Sequence, residues 1–314
     1  MTDTRVELPE TDALAEELVD LAAPHEDITE LLALRRRMAT DPGLRRELES
    51  AVGGLVEDMG VIDGGAEPPA FAEPGGSAAA VDRYLPVYVF LAALPHVRAF
   101  HRERSVPADV SRRTLADLGR QMALHRAAHG AGGLPAPWWL RLHFRGELYQ
   151  LGRLQFQRSR LGDAPGAAVR SAGLPRGPGD PVLELHIPDF LGPLTPEACD
   201  RSLARAGAFF ARSFPEEPYA LAACDSWLLD SQLAGYLPAH SNIRSFQDRF
   251  RVLTDRTEIA DKYPVQFVFG DPELPWDTLP RRTALERAVG DHLRAGGHWY
   301  GGRGWFPLPG SHLP

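Results

Sequence analysis

"VLELHIPDFLGPLTPEACDRSL", residues 182–203, opens as a strand and closes as a helix. Apolar Val182, Leu183, Leu185 and Ile187 give the strand its character. Thr195 is suited to cap a helix, its hydroxyl accepting from the open amides of the first turn, and Pro196 suits the first helical position, where a missing N–H costs nothing. The turn between them carries Gly192, Pro193 and Leu194. Unsatisfied amides and a partial positive charge at such a helix start suit a phosphate. Every helix start has these groups, and Glu197 and Asp200 compete with an anionic ligand for them.

Outward from this junction the same kind of pattern continues. Alternation in "LGRLQFQR", residues 151–158, predicts a strand: Leu154 and Phe156 face one way, and Arg153, Gln155 and Gln157 the other. The preceding "WWLRLHFRGELYQ" reads either as a strand and hairpin turning at Arg145-Gly146 or as a helix end. Residues 162–181, rich in Gly and Pro, predict a long surface loop. Downstream the pattern predicts a helix over 196–214, a strand over 219–228 and a helix over 242–253. "PVQFVFGD", residues 264–271, reads as a further strand, 282–295 as a helix, and a last strand lies around Trp305. Strands alternating with helices make an α/β (α+β) domain with helices packed on a sheet.

Before residue 130 the periodicity is helical. Leu14, Leu18, Leu21 and then Ile28, Leu31, Leu32 recur at helical spacing, and Asp41-Pro42 reads as a cap and first-turn proline. Helices are predicted over 81–104, kinked or interrupted at Pro86 and Pro95, and over 108–129. Residues 63–80 form a linker, and "HGAGGLPAP", residues 129–137, marks the boundary between a helical domain, 1–135, and the α/β domain, 136–314.

Charge and composition exclude several classes. The net charge is −8, and residues 1–63 alone hold 16 acidic against 6 basic side chains. A field of that sign repels a nucleic-acid backbone. Lys262 is the lone lysine among 34 basic residues, a bias of coding rather than a binding signal, and Arg35-Arg36-Arg37 reads as the solvated face of a helix. Cys199 and Cys224 make no disulfide framework and no zinc site. The acidic "MTDTRVELPETD" is unlike a signal peptide, and the apolar stretch 84–95 is too short to span a membrane, so a cytoplasmic protein is expected.

"LHFRGELYQLGRLQFQR", "LHIPDFLGPLTPEACDRSL", "DSWLLDSQLAGYLPAHSNIRSFQDRF" and "HWYGGRGWF" together resemble the GNAT-like domain of actinobacterial acyltransferase domain-containing proteins. Residues 1–135 resemble the helical domain that accompanies it. The resemblance implies an acyltransferase that moves an acyl group from acyl-CoA to an amine of a small-molecule acceptor, with no metal. In that family acyl-CoA enters a splay between the fourth and fifth strands, here 182–187 and 219–228. Leu185 and Ile187 would then border the pantetheine, with Gly192, Leu194 and Thr195 under the pyrophosphate and Asn242 opening the next helix. Two features depart from the family. The loop "DFLGPLT" has one glycine and a proline, and Arg249 and Phe250 stand where a tyrosine general acid is usual. These departures keep open an alternative, a GNAT-like protein that binds or senses a ligand without catalysis.

Acyl transfer to nitrogen needs a base, donors for the oxyanion and an acid for the thiolate. His186 at the strand exit is the first candidate base, or else a hydrogen-bonded sheet histidine. Asp189, three residues on, either orients it or stabilises the turn. Asp225 interrupts the row Leu221, Ala223; it is either working or paired with an arginine such as Arg145 or Arg153. His240 is a candidate acid or an exposed loop histidine, and Ser241 or Asn242 caps the helix that follows. His125 and His129 share one helix face but lack a third ligand, and the aromatic cluster Trp299, Tyr300, Trp305 and Phe306, with His298 at its edge, reads as core or as acyl-pocket lining.

Overall fold

The computed structural model describes residues 6–62, 79–253 and 258–310, so most of the 63–80 linker lies outside the described residues. The chain forms two compact units, Met1–Tyr149 and Gln150–Pro314.

The first unit is helical: α1 (Thr11–Asp20), α2 (His25–Thr40), α3 (Pro42–Val56), α4 (Ala80–Glu103), α5 (Ala108–Leu115), α6 (Asp117–His129) and α7 (Pro137–Phe144). Asp41 caps α3 by accepting from the Gly43 and Leu44 amides, which also lowers its own pKa. α4 is buried from Pro86 through Leu94 and forms the centre of the core, with Leu14, Leu18, Leu31 and Val52 packed around it. It runs as one helix through Pro86 and Pro95 and is not interrupted; burial of the whole stretch between them, Val87 to Leu94, outweighs the two missing backbone bonds. The single helix expected over 108–129 is two, divided at Ala116. The division lets Gly119 press onto the Leu21–Ala22 backbone, where a Cβ would sit 2.2 Å from the Ala22 carbonyl carbon. α7 settles "WWLRLHF" as helix: Pro137 opens it, and Leu140 and Phe144 stack on its buried face. Arg35 of the basic run hydrogen-bonds the Pro9 carbonyl, whereas Arg36 and Arg37 are solvated.

Beyond α7 come β1 (Leu148–Gln150), β2 (Gln155–Arg160), α8 (Asp163–Ser171), β3 (Pro181–His186), α9 (Pro196–Ser213), β4 (Leu221–Ser226), α10 (Asn242–Gln247), β5 (Arg251–Val252), α11 (Lys262–Phe269), α12 (Ala284–Arg294) and β6 (Gly302–Pro307). The mixed sheet has the order β1-β2-β3-β4-β6-β5. β3 pairs antiparallel with β2 and parallel with β4, the link between the two being α9; β4 and β6 are antiparallel. Leu183, Leu185, Leu221, Ala222 and Cys224 are buried in its centre.

Three expectations are corrected. Residues 264–271 are not a strand: α11 takes 264–269, because Val265 and Phe269, four apart, pack on one helical face with α12. Pro264 falls in its first turn, where no N–H is needed, and Gly270 ends it with φ +87°. The loop 162–181 contains α8, held because Gly166 lies against Pro178, where a Cβ would meet the Pro178 nitrogen at 2.2 Å. The helix expected over 242–253 stops at Gln247, and the chain then joins the sheet edge as β5.

Candidate active site

The two central strands share little of their length. β3 stays paired with β2 to its end, Gln155↔His186, and β4 with β6 to its end, Ser226↔Gly302. Between β3 and β4, however, the ladder consists of Leu183↔Ala222 and Glu184↔Ala223. Leu185 and His186 on one side, and Cys224 to Ser226 on the other, run past the last cross-strand pair. The strands therefore part toward their carboxyl ends, which is where open α/β sheets bind ligands.

Below the parting lies the junction of β3 and α9. Gly192 has φ +76°, a left-handed conformation that favours glycine, and it is exposed. Leu194 is buried and anchors the turn. Thr195 is the N-cap, as expected: its Oγ1 accepts from the Ala198 amide at 3.2 Å. Since Pro196 has no N–H and the Ala198 amide is engaged, the first turn keeps only the Glu197 amide for a ligand.

Two arginines supply the charge that the amides lack. Arg153 reaches the loop from the bend just ahead of β2, its Nε donating to the Gly192 carbonyl at 2.9 Å. Its backbone is tied to α9 through a 2.7 Å bond from its amide to Ser202 Oγ. Arg249, just past α10, donates to Asp200 at 2.7 Å and to the Pro196 carbonyl at 3.2 Å. Arg153 Nη1 and Arg249 Nε are buried with no hydrogen-bond partner. Cys199, in the first turn of α9, feels both guanidiniums: burial raises its thiol pKa, and Arg249 and Arg153 oppose the rise. Burial in turn lowers the pKa of Arg153. Two forked cations at one helix start match a diphosphate. Neither arginine stood out in the sequence, where Arg153 was one polar residue of an alternating strand and Arg249 a replacement for tyrosine.

His186 ends β3 at the parting. It is half-buried, and its Nε2 lies 2.9 Å from Gln157 Oε1 on the neighbouring strand. With that oxygen as acceptor the ring proton sits on Nε2, and Nδ1 becomes the basic nitrogen. Leu185, beside it, is buried, and Ile187 is half-buried. Asp225 lies near the end of β4, exposed, and pairs with Arg303 at 2.6 Å across the ladder to β6; its partner is neither Arg145 nor Arg153. Asp189 is exposed in the loop, close enough to Arg153 to act on its charge. His240 is exposed before α10, Ser241 is the cap of that helix, and Asn242 is its exposed first residue. Asp189, Asp225 and His240 make no hydrogen bond to His186.

Other candidates resolve as packing. His125 is buried with its Nδ1 on the Ala131 carbonyl, and burial lowers its pKa. Among the described residues no group of His, Cys, Asp or Glu could hold a metal ion, and no helix is long and apolar enough to cross a membrane. Trp299, Trp305 and Phe306 are buried, and Trp299 stacks on His292 with ring centroids 4.4 Å apart.

Residues 148–306 match the GNAT-like C-terminal domain model, and residues 12–146 match the N-acyltransferase N-terminal domain model. No curated protein sequence matches the chain. Among solved structures it is similar to an acyltransferase in complex with decanoyl-CoA, at 39% identity over 97% of this chain and 90% of that one, with a TM-score of 0.82. A mutant acyltransferase in complex with octanoyl-CoA aligns at 38% identity over 97% and 90%, TM-score 0.85. An acyltransferase in complex with decanoyl-CoA and teicoplanin aligns at 39% identity over 97% and 90%, TM-score 0.86. The chain belongs to the GNAT-like acyltransferases that carry a helical N-acyltransferase N-terminal domain before the GNAT-like C-terminal domain.

Proposed function

We propose that this protein transfers an acyl group from acyl-CoA to an amine of a small-molecule acceptor. The observation that carries the reading is the end of the β3–β4 ladder at Glu184 and Ala223, with β3 running on through residues 187–195 into a helix start flanked by Arg153 and Arg249. A pantetheine arm fits the gap as a substitute strand, bonding the backbone beside Leu185 and Ile187. The diphosphate then rests on Gly192, Leu194, Thr195 and the Glu197 amide, between the two guanidiniums. The residues present suit acyl-CoA, although the route differs from a glycine-rich loop: side-chain charge replaces missing amide donors. The similarity to acyltransferases solved with decanoyl-CoA and octanoyl-CoA supports the donor.

With the arm so held, the thioester carbonyl lies near the ends of β3 and β4, where strand amides can hold the developing oxyanion. The acceptor nitrogen forms a C–N bond to the carbonyl carbon, and the C–S bond breaks. His186 takes a proton from the nitrogen and returns it to the departing sulfur. Gln157 fixes the ring for this work. The exposed ion pair of Asp225 with Arg303 makes it the weaker candidate base, while the exposed Asp189 and His240 are candidates to assist and the exposed Asn242 is a candidate cofactor contact. A similar acyltransferase solved with decanoyl-CoA and teicoplanin supports an acceptor of that kind.

Mass spectrometry of deacylated teicoplanin incubated with the protein and decanoyl-CoA tests the reading. The expected product carries one decanoyl group on nitrogen. Release of CoA with the acceptor unchanged would mean thioester hydrolysis and overturn the amine reading, and binding of decanoyl-CoA without turnover on any amine would favour the ligand-binding alternative.

A further inference from the structure

A second histidine stands in a catalytic posture at the same end of the sheet. His298 lies just before β6, which is antiparallel to β4 and pairs Gly302 with Ser226. The segment 298–301 therefore emerges at the carboxyl end of β4, the end toward which the gap opens. Gly301 lies against the Asp225 carboxylate, where a Cβ would be 3.7 Å from Oδ1.

The ring is held as a proton acceptor needs to be. Asp261, buried at the start of α11, uses Oδ2 on His298 Nδ1 at 2.7 Å and Oδ1 on the Trp299 amide at 2.7 Å. The His298 carbonyl accepts from Gln232 Nε2 at 2.9 Å and lies 3.0 Å from His292 Nε2, while the Tyr300 amide donates to Asp230 at 2.9 Å. Backbone and ring are thus fixed on both flanks, yet the side chain is 44% exposed. A carboxylate on Nδ1 keeps the ring proton there, turns Nε2 outward as the basic nitrogen and stabilises the imidazolium that forms. A donor needed only to satisfy Asp261 would have no use for an exposed, titratable ring. The titratable groups around it are Asp261, Asp230 and His292, with Tyr236 behind His292.

We propose that His298, oriented by Asp261, accepts the proton that the acceptor's ammonium group loses before attack and passes it to solvent. The inference rests on the amine reading above and completes its proton balance. An ammonium acceptor sheds two protons on becoming an amide. One goes through His186 to the sulfur of CoA, and the other goes through His298 to water. A half-buried ring suits the first task and an exposed ring the second.

The test is kcat/KM from about pH 6 to about pH 10, bracketing amine ionisation, with decanoyl-CoA and deacylated teicoplanin and the enzyme-free rate subtracted. His298→Asn retains a donor for Asp261, and Asp261→Asn is the second variant; thermal melting checks that both are folded. Near neutral pH, His298→Asn should lose about 10²-fold or more. It should approach the wild type once pH exceeds the pKa of the acceptor, because the amine then arrives neutral. His186→Ala should stay impaired at every pH. A deficit in folded His298→Asn that is constant with pH, or no deficit at all, overturns the proposal while leaving the amine reading intact. Failure of the wild type to acylate nitrogen at any pH removes the amine reading itself, and this inference with it.

Discussion

Replacing Arg153 or Arg249 with alanine should weaken acyl-CoA through its phosphates alone. Each guanidinium has a buried nitrogen without a protein partner, Nη1 in Arg153 and Nε in Arg249, at the first turn of α9. A hydrogen bond to a charged group contributes about 1.5–3 kcal/mol. At about 1.4 kcal/mol per tenfold in affinity, each variant should raise the Kd for decanoyl-CoA by about 10- to 100-fold. The fold should survive. Arg249→Ala loses an ion pair whose Asp200 side is 62% exposed, an interaction worth about 0–1 kcal/mol. Arg153→Ala keeps the backbone bond to Ser202. Calorimetry should compare decanoyl-CoA with S-decanoyl-pantetheine, which has the arm and thioester but no diphosphate. The account requires a large loss for the first ligand and almost none for the second. Equal losses for both, or no loss for either, would refute the placement of the diphosphate between the two arginines.

His186→Ala should lower kcat by about 10²-fold or more while leaving the Kd for decanoyl-CoA nearly unchanged, measured by single-turnover kinetics beside calorimetry. His101, buried in the helical unit, has its pKa lowered by burial to about 4. The unfolded chain takes up that proton first, so this contribution is complete above about pH 6.5 and is lost as pH falls toward 4, by up to about 3 kcal/mol. Urea titrations across that window should show the decline, and His101→Gln should flatten it. Thr283 and Glu286 form a reciprocal capping box on α12, so Thr283→Ala should cost about 1 kcal/mol in thermal or urea unfolding.

What the sequence made legible was local. The cap at Thr195, the proline after it and the apolar run of β3 sit within a few residues of one another, and each appears in the fold where its chemistry calls for it. α11 was misread because Val265, Phe267 and Phe269 alternate as a strand would. Only packing of Val265 and Phe269 with α12 selects the helical period over the alternating one. The charge at the candidate site was hidden for a related reason. Arg153 and Arg249 are far apart in the chain and meet only through α9, and Asp261 finds His298 only once α11 and the start of β6 are placed. Register was equally out of reach: no residue in 182–187 or 219–228 announces that two cross-strand pairs, rather than five or six, join β3 to β4. The exposed Asp225 shows the converse. It looked informative as a break in an apolar row, but the row reaches solvent there and Arg303 stands opposite.

A crystal structure of the protein grown with decanoyl-CoA tests the central claim most directly. The account predicts the pantetheine arm lying between Leu185–His186 and Cys224–Ser226, with both phosphates within hydrogen-bond distance of Arg153 and Arg249. An arm bound elsewhere on the sheet, or strands closed by their own hydrogen bonds while the ligand sits outside, would contradict it.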